Sequence, residues 1–368
     1  MQKIFRLVLT GGPCAGKTTA MSFIQNAMAE RGYRVIFVPE TATELITEGV
    51  APWLTDGLEF QKSLFSLQIL KENIAIHLAE TMKDEKILIV FDRGLLDNKV
   101  FMTDDEWEQV LHHASMTETE ACSRYDAVLH LVTAAIGARE FYTTANNAAR
   151  KETPEQAAEQ DRKIVNAWAP HQRLRIVDNS TDFKEKMKRT IKEITAMLGE
   201  PAPYEIERKY LISYPDIETL SKCPGFRKIE IIQTYLKSEE NEERRIRQMG
   251  SGNDFIFFET KKTTISGIRR IEEERRLSEK EYLNLLLQAD TSLGQIRKTR
   301  YYLMSGNQRF EIDIYPGWKD QAIMEVELID ENEEIRFPEC ISVIREVTED
   351  AGYKNAALAR KFIGKEGT

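Results

Sequence analysis

Long apolar runs are missing from this sequence: no stretch approaches the ~20 consecutive apolar residues that a membrane-crossing helix needs, so no membrane partner is expected. Cysteine is scarce. Cys14, Cys122, Cys223 and Cys340 are scattered and form no C-x-x-C pair, which excludes a disulfide framework and a cysteine zinc site and fits reduced thiols in the cytoplasm. Histidine is equally sparse, and His77, His112, His113, His130 and His171 show no metal-ligand spacing. Short internal repeats and low-complexity tracts are absent. Positive charge is not in excess: the net charge of −9 argues against a general nucleic-acid binder, which is usually basic. The apolar run at residues 4–9 leads into a glycine loop rather than a small-residue cleavage site, so it reads as a buried strand and not as a signal peptide. The pattern assigns no oligomeric state.

What is present suits two globular domains. A chain of 368 residues exceeds one ordinary core. Through about residue 199, short apolar runs alternate with amphipathic helical stretches, the pattern of βαβ units and a doubly wound parallel sheet. Strands are expected at 5–9, 35–38, 87–91, 127–132 and 173–177, and helices at 59–83 and 181–198. The segment Gly199-Glu200-Pro201-Ala202-Pro203 stops the last helix and marks a boundary between domains 1–199 and 203–368. Beyond it, polar and apolar residues alternate through about eight strands, at 206–212, 229–237, 244–249, 255–261, 268–277, 295–304, 308–315 and 322–329, with one helix at 278–288. Charge on one side of every strand suggests a closed antiparallel β-tunnel whose polar interior takes a polar ligand.

Gly11, Gly12, Pro13, Cys14, Ala15, Gly16, Lys17 and Thr18 match G-x-x-x-x-G-K-S/T, placed between an expected strand and an expected helix. Glycines let backbone N–H groups turn onto phosphate oxygens. Lys17 reaches the β- and γ-phosphates, Thr18 offers its hydroxyl to Mg²⁺, and Thr19 continues the nucleotide-binding turn. Asp92, at the end of an apolar strand, suits Mg²⁺ or its water, and Arg93 suits phosphate or acceptor. Glu40, at the end of the second strand, suits removal of a proton from an acceptor hydroxyl or the positioning of water. Residues 134–168 carry Arg139, Arg150, Lys151 and Arg162, and in a phosphotransferase such a segment acts as a lid, with Arg150 and Arg162 closing on the nucleotide. Asp178 and Asn179, after the last strand, would flank the base.

On the Lys17 motif, Glu40, the Asp92-Arg93-Gly94 turn and the arginine-bearing segment, residues 1–199 resemble P-loop kinase-like ATPases related to nicotinamide riboside kinases and small-molecule kinases. The resemblance implies ATP with Mg²⁺, and either ATPase or kinase chemistry on a small acceptor.

A second constellation opens at Glu205-Ile206-Glu207-Arg208-Lys209. On a strand Glu205, Glu207 and Lys209 share one face, where two carboxylates and an ammonium are costly to bury unless they meet a metal and an anion. Basic pairs recur at period two, Arg245 with Arg247 and Lys298 with Arg300, and Lys261 ends another strand. Acidic pairs recur likewise: Glu272 with Glu274, Glu311 with Asp313, Glu325 with Glu327. The basic groups suit a chain of phosphates and the carboxylates suit hard divalent cations. Lys262 follows Lys261 directly, which leaves open which lysine faces inward.

This half, residues 203–368, resembles a CYTH domain of the triphosphate tunnel metalloenzymes. Glu205, Glu207 and Lys209 meet the E-x-E-x-K signature, and 233–236, 245–247, 298–300, 311–313, 325–327 and 346–355 match further stretches. The resemblance implies an eight-stranded antiparallel tunnel and hydrolysis of triphosphates with Mg²⁺ or Mn²⁺. In the mechanism this suggests, Lys209, Arg245, Arg247, Lys261, Lys298 and Arg300 position the substrate, while Glu205, Glu207 and late carboxylates (Asp313, Glu325, Glu327) hold metal that acidifies the attacking water. The expected function is therefore a P-loop ATPase or small-molecule kinase joined to a triphosphatase acting on tripolyphosphate or on nucleoside and organic triphosphates. The alternatives are an adenylyl cyclase and a nucleotide- or polyphosphate-binding regulator without turnover.

Overall fold

The computed structural model describes residues 2–142, 153–199, 206–238, 242–252, 254–266, 269–328 and 333–361. The chain divides into two compact units, Met1–Leu198 and Gly199–Thr368.

The first unit runs β1 (Lys3–Thr10), α1 (Lys17–Ala29), β2 (Arg34–Val38), α2 (Thr41–Thr47), α3 (Gly57–Glu80), β3 (Lys86–Asp92), α4 (Asp104–His113), α5 (Glu118–Cys122), β4 (Ala127–Leu131), α6 (Pro154–Trp168), β5 (Leu174–Val177) and α7 (Phe183–Leu198). The strands form one sheet in the order β2-β3-β1-β4-β5, parallel throughout. Helices cover both faces, which is why β3 and β4 read as nearly unbroken apolar runs rather than as alternation. Leu7, Leu9, Leu88, Val90, Leu129 and Leu131 pack against Ala20, Ile24 and Met28 of α1 and Met187 and Ile194 of α7. Helix starts are set by side chains: Asp56 caps α3, and Thr103 and Thr153 head capping boxes on α4 and α6, the latter with Pro154 in the first turn. Because β1 lies between β3 and β4, the order of strands reverses at it, and ligands bind outside the strand ends at such a point.

The second unit runs β6 (Ile206–Ser213), α8 (Ile217–Ser221), β7 (Arg227–Leu236), β8 (Glu242–Ser251), β9 (Asp254–Ser266), β10 (Arg269–Leu277), α9 (Glu279–Leu286), β11 (Ile296–Ser305), β12 (Gln308–Ile314), β13 (Gln321–Leu328), β14 (Val343–Glu346) and α10 (Asn355–Lys361). All its strands pair antiparallel in the order β10-β9-β8-β7-β11-β12-β13-β6-β14. The eight expected strands are there; the ninth, β14, is four exposed residues with no alternation to announce it. Strand faces divide sharply. Tyr210, Ile212, Leu303, Phe310, Ile312, Met324 and Val326 point to one side and form a core with α8. The opposite side carries the charges. It faces inward: Lys262 on β9 lies near enough to Glu207 on β6 to lower its pKa, although a flat sheet would put those strands roughly 29 Å apart. One end of this interior is filled by Tyr235, Ile296, Tyr315 and Ile323 packed on Leu358 and Ala359 of α10. Among the described residues no helix is long and apolar enough to cross a membrane.

Candidate functional site

The loop between β1 and α1 has the shape its glycines suggest. Gly11 (φ 148) has no room for a side chain, since a Cβ would lie 2.2 Å from the Leu131 carbonyl oxygen. Gly16 (φ 92) turns the chain into α1 from a left-handed conformation. Lys17 is buried with its Nζ 3.4 Å from Gly11 O, while Thr18 and Thr19 stay exposed at the helix start.

A buried carboxylate that no motif announces holds the loop from behind. Asp161 Oδ1 accepts from Gly12 N at 2.7 Å and from Thr133 N at 3.1 Å, and its Oδ2 accepts from His130 Nε2 at 3.1 Å. Gly12 must be glycine for this, because a Cβ there would sit 2.7 Å from Asp161 Oδ1. Burial raises the Asp161 carboxyl, but His130 and the two amide donors outweigh it and leave the pKa lowered. Asp161 lies on α6, whose Ala157, Ile164, Val165 and Trp168 are also buried. That corrects the lid expectation for the described part of the segment: an amphipathic helix has spent its apolar face on the core. Arg162, on its outer side, pairs with Glu159 and is 60% exposed, and Arg139 pairs with Glu155 at the surface. Arg150 and Lys151 lie outside the described residues.

At the ends of β2 and β3, Glu40, Asp92 and Arg93 come together. Arg93 (φ 72) donates from Nε to Glu40 Oε1 at 2.5 Å. Burial works against Glu40, yet the charges of Arg93 and Lys17 hold its carboxyl at about 2, so it is ionised at neutral pH. Asp92 is shifted the other way: burial raises it, Lys17 and Arg93 only partly offset this, and Glu40 and Asp97 add to the rise. Its Oδ1 is buried without a hydrogen-bond partner. Asp97, missed in the sequence, orders the turn. It accepts from Gly94 N at 2.7 Å, Trp168 Nε1 at 3.3 Å and the Thr10 hydroxyl. Asn179 does not offer itself to a base, because its Nδ2 donates to Thr133 O at 2.8 Å and Ile136 O at 2.6 Å.

In the second unit the charges interlock. Arg300 donates to Asp313 Oδ1 at 2.6 Å and Oδ2 at 2.7 Å, to Glu325 Oε2 at 3.0 Å, and to Glu311. Lys298 also bonds Asp313, and burial together with Arg300 lowers the pKa of its ammonium. Lys209 lies 2.7 Å from Glu325 Oε1 and 3.5 Å from Glu207 Oε1. Arg247 bonds Glu274, and Arg309 meets Glu311 at 2.8 Å. The Glu207 carboxyl is pushed up to about 7 by Glu325 and by burial, against the pull of Lys209 and Lys262. Its side chain is 42% accessible. Glu327 stands directly opposite Glu207 in the β13–β6 register, a like-charge pairing that costs energy without a cation between. On the same face, Gln233 Nε2 is a buried donor with no hydrogen-bond partner.

Strand register also sorts the expected residues. Lys262 shares the inward face with Arg245, Arg247 and Thr260. Lys261, expected on the triphosphate, points outward and pairs with Glu242 at 2.9 Å; side chains alternate, and Thr260 takes the inward position before it. Asp313 and Glu325, expected on metal, have both carboxylate oxygens engaged by cations. Glu205 and the Glu272 side chain lie outside what is described. Among the described residues no three His, Cys, Asp or Glu side chains form a metal-holding group by themselves. Gln233 lay in a matched stretch but was given no role, and Arg309, Asp97 and Asp161 were missed by sequence. For Gln233 and Arg309 the period-two face was the available signal.

A family model described as an AAA domain matches residues 6–186, and one described as a CYTH domain matches residues 203–363. An inorganic triphosphatase of Nitrosomonas europaea is 32% identical over 159 residues, covering 42% of this chain and 96% of that protein. A solved structure of an inorganic triphosphatase is 29% identical, covers 43% of this chain and 95% of its own, and gives a TM-score of 0.31. A putative adenylyl cyclase from Hippeastrum, described as having a dominant triphosphatase activity, is 14% identical, covers 34% and 80% respectively, and gives a TM-score of 0.27.

Proposed function

Because the chain belongs to the CYTH family through residues 203–363 and carries an AAA domain over residues 6–186, we propose that it is a two-site phosphate enzyme: a divalent-metal-dependent triphosphatase joined to an ATP-binding P-loop ATPase or kinase. The observation that carries the first part is the inward face of the second unit. Cations there are held in fixed positions by carboxylates, and an unpartnered buried donor, Gln233 Nε2, lies among them, an arrangement that favours an anion with many oxygens.

The donor set also fits a hard divalent cation, Mg²⁺ or Mn²⁺. Glu207 and Glu327 would hold it. When bound, such an ion draws charge from phosphate oxygens and acidifies nearby water. The chain's own residues supply the rest. Arg245, Arg247, Lys262 and Gln233 line one wall and hold the phosphate chain. Arg300, fixed by Asp313 and Glu311, presents its charge without paying for reorganisation when substrate arrives. Lys209, between Glu207 and Glu325, positions both carboxylates. In the reaction, a water oxygen forms the new bond to the terminal phosphorus, and the bond to the leaving oxygen breaks in line. Tripolyphosphate would give phosphate and pyrophosphate.

In the first unit Gly11–Thr18 would cradle the nucleotide phosphates. Thr18 and the unpartnered Oδ1 of Asp92 suit Mg²⁺, and ionised Glu40 beside Arg93 suits a proton from an acceptor hydroxyl or from water. The test is product analysis of the full chain with tripolyphosphate and with ATP, in Mg²⁺ or Mn²⁺ and then with chelator. Phosphate release that chelator stops supports the triphosphatase. Cyclic AMP with pyrophosphate as products would replace hydrolysis by cyclisation.

A further inference from the structure

The two halves of the crevice around β1 differ in character. On the β2–β3 side stand Glu40, Asp92 and Arg93, and Lys17 acts electrostatically on both carboxylates. That half suits the terminal phosphate and a metal. A nucleotide anchored there sends its nucleoside end toward the β4–β5 half.

What that half offers beside the P-loop is a rigid support and an exposed ring, Phe183. Lys186, in the first turns of α7, is buried and donates to Val132 O at 2.7 Å, Asn179 Oδ1 at 2.7 Å and the P-loop carbonyl Ala15 O at 3.2 Å. Asn179 in turn ties the stretch after β4 through its bonds to Thr133 O and Ile136 O. The start of α7 is thereby fixed to the P-loop itself. On this support Phe183 is 50% exposed, while Lys186, Met187 and Thr190 behind it are buried. The ring lies against the loop: a Cβ on Gly16 would meet Phe183 Cε2 at 2.9 Å and Cζ at 3.5 Å.

An apolar ring left half in water beside a phosphate loop has burial still to gain. A flat aromatic face held by a rigid support is what stacks a nucleobase, whatever its hydrogen-bonding edge. We propose that Phe183 is the stacking platform for the base of the nucleotide bound at Lys17, so that the first unit binds a nucleoside triphosphate more tightly than a bare polyphosphate. This rests on the reading of Gly11–Thr18 as a nucleotide site. The stacking is indifferent to base identity, so discrimination between adenine and other bases falls to other groups.

The experiment titrates the full chain with MgATP and with Mg-tripolyphosphate by calorimetry, and takes as the P-loop component the binding that Lys17→Ala removes. Phe183→Ala should weaken that component for ATP by about tenfold and leave it unchanged for tripolyphosphate. Phe183→Trp should keep ATP affinity and add an emission that ATP quenches, a quench that Lys17→Ala abolishes. ATP binding by Phe183→Ala within about twofold of the parent, or equal losses for ATP and tripolyphosphate, overturns the platform while leaving the nucleotide site standing. No Lys17-dependent ATP binding in the parent chain overturns the nucleotide site and the platform together.

Discussion

Replacing Asp161 by alanine should loosen the P-loop without touching any residue exposed to ligand. The side chain accepts from Gly12 N at 2.7 Å, Thr133 N at 3.1 Å and His130 Nε2 at 3.1 Å, and it is 2% exposed. Alanine leaves two buried amide donors and a ring N–H without acceptors. Each such orphan costs about 1–3 kcal/mol, and removing a buried carboxylate recovers part of its own desolvation. The net loss expected is about 3 kcal/mol, which for a unit of this size lowers its melting transition by about 6–12 °C. Asp161→Asn separates hydrogen bonding from mere volume. An amide oxygen still accepts from Gly12 and Thr133, and its Nδ2 can donate to His130 Nε2 once the ring proton moves to Nδ1, which is buried and unpartnered in the native chain. The asparagine variant should therefore recover more than half of the loss. Differential scanning calorimetry of the full chain reads both. Melting of Asp161→Ala within about 2 °C of the parent, or of Asp161→Asn as low as the alanine variant, would refute the reasoning.

Register makes a second prediction: Lys262→Ala should raise KM for tripolyphosphate about tenfold, while Lys261→Ala stays within twofold; equal effects would contradict the inward assignment. Glu40 gives a pH prediction. Its native value of about 2 lies below the ordinary 4.5, so between these values the unfolded chain takes the proton first and stability falls as pH falls. Its contribution, up to about 3 kcal/mol, is complete above pH ~4.5. The urea-midpoint advantage of the parent over Glu40→Gln should shrink from pH 6 to pH 3, and a pH-independent difference would count against it. Arg300→Met leaves Asp313, Glu311 and Glu325 without their shared cation, and should destabilise the second unit by about 3–5 kcal/mol in equilibrium unfolding; an unchanged midpoint would show that the carboxylates find other partners.

The sequence was readable where one residue's role depends on its near neighbours. Gly11–Thr18 announces a loop, and alternation announced eight antiparallel strands, because both are local patterns. Pairing was not readable. Choosing between Lys261 and Lys262 needs the β8–β9 register, and pairing Asp313 with Lys298 and Arg300 needs β11 beside β12. Asp161 and Asp97 carry no motif, since most of their partners (Gly12 N, Thr133 N and His130 for Asp161, Thr10 and Trp168 for Asp97) are supplied by tertiary packing. β14 is too short and too exposed to leave a period. Cys223 and Cys340 read as unrelated thiols, yet the fold brings their sulfurs to 2.7 Å across 117 positions.

The central claim is that the inward face of the second unit hydrolyses triphosphates independently of the P-loop. It is tested most directly by phosphate release from tripolyphosphate with Mg²⁺ or Mn²⁺ in the full chain, in Glu207→Gln and in Lys17→Ala. The account predicts a loss of at least about a hundredfold in Glu207→Gln, with its melting transitions retained, and near-parental rates in Lys17→Ala. Undiminished release by Glu207→Gln, or loss in Lys17→Ala alone, would place the chemistry elsewhere and contradict it.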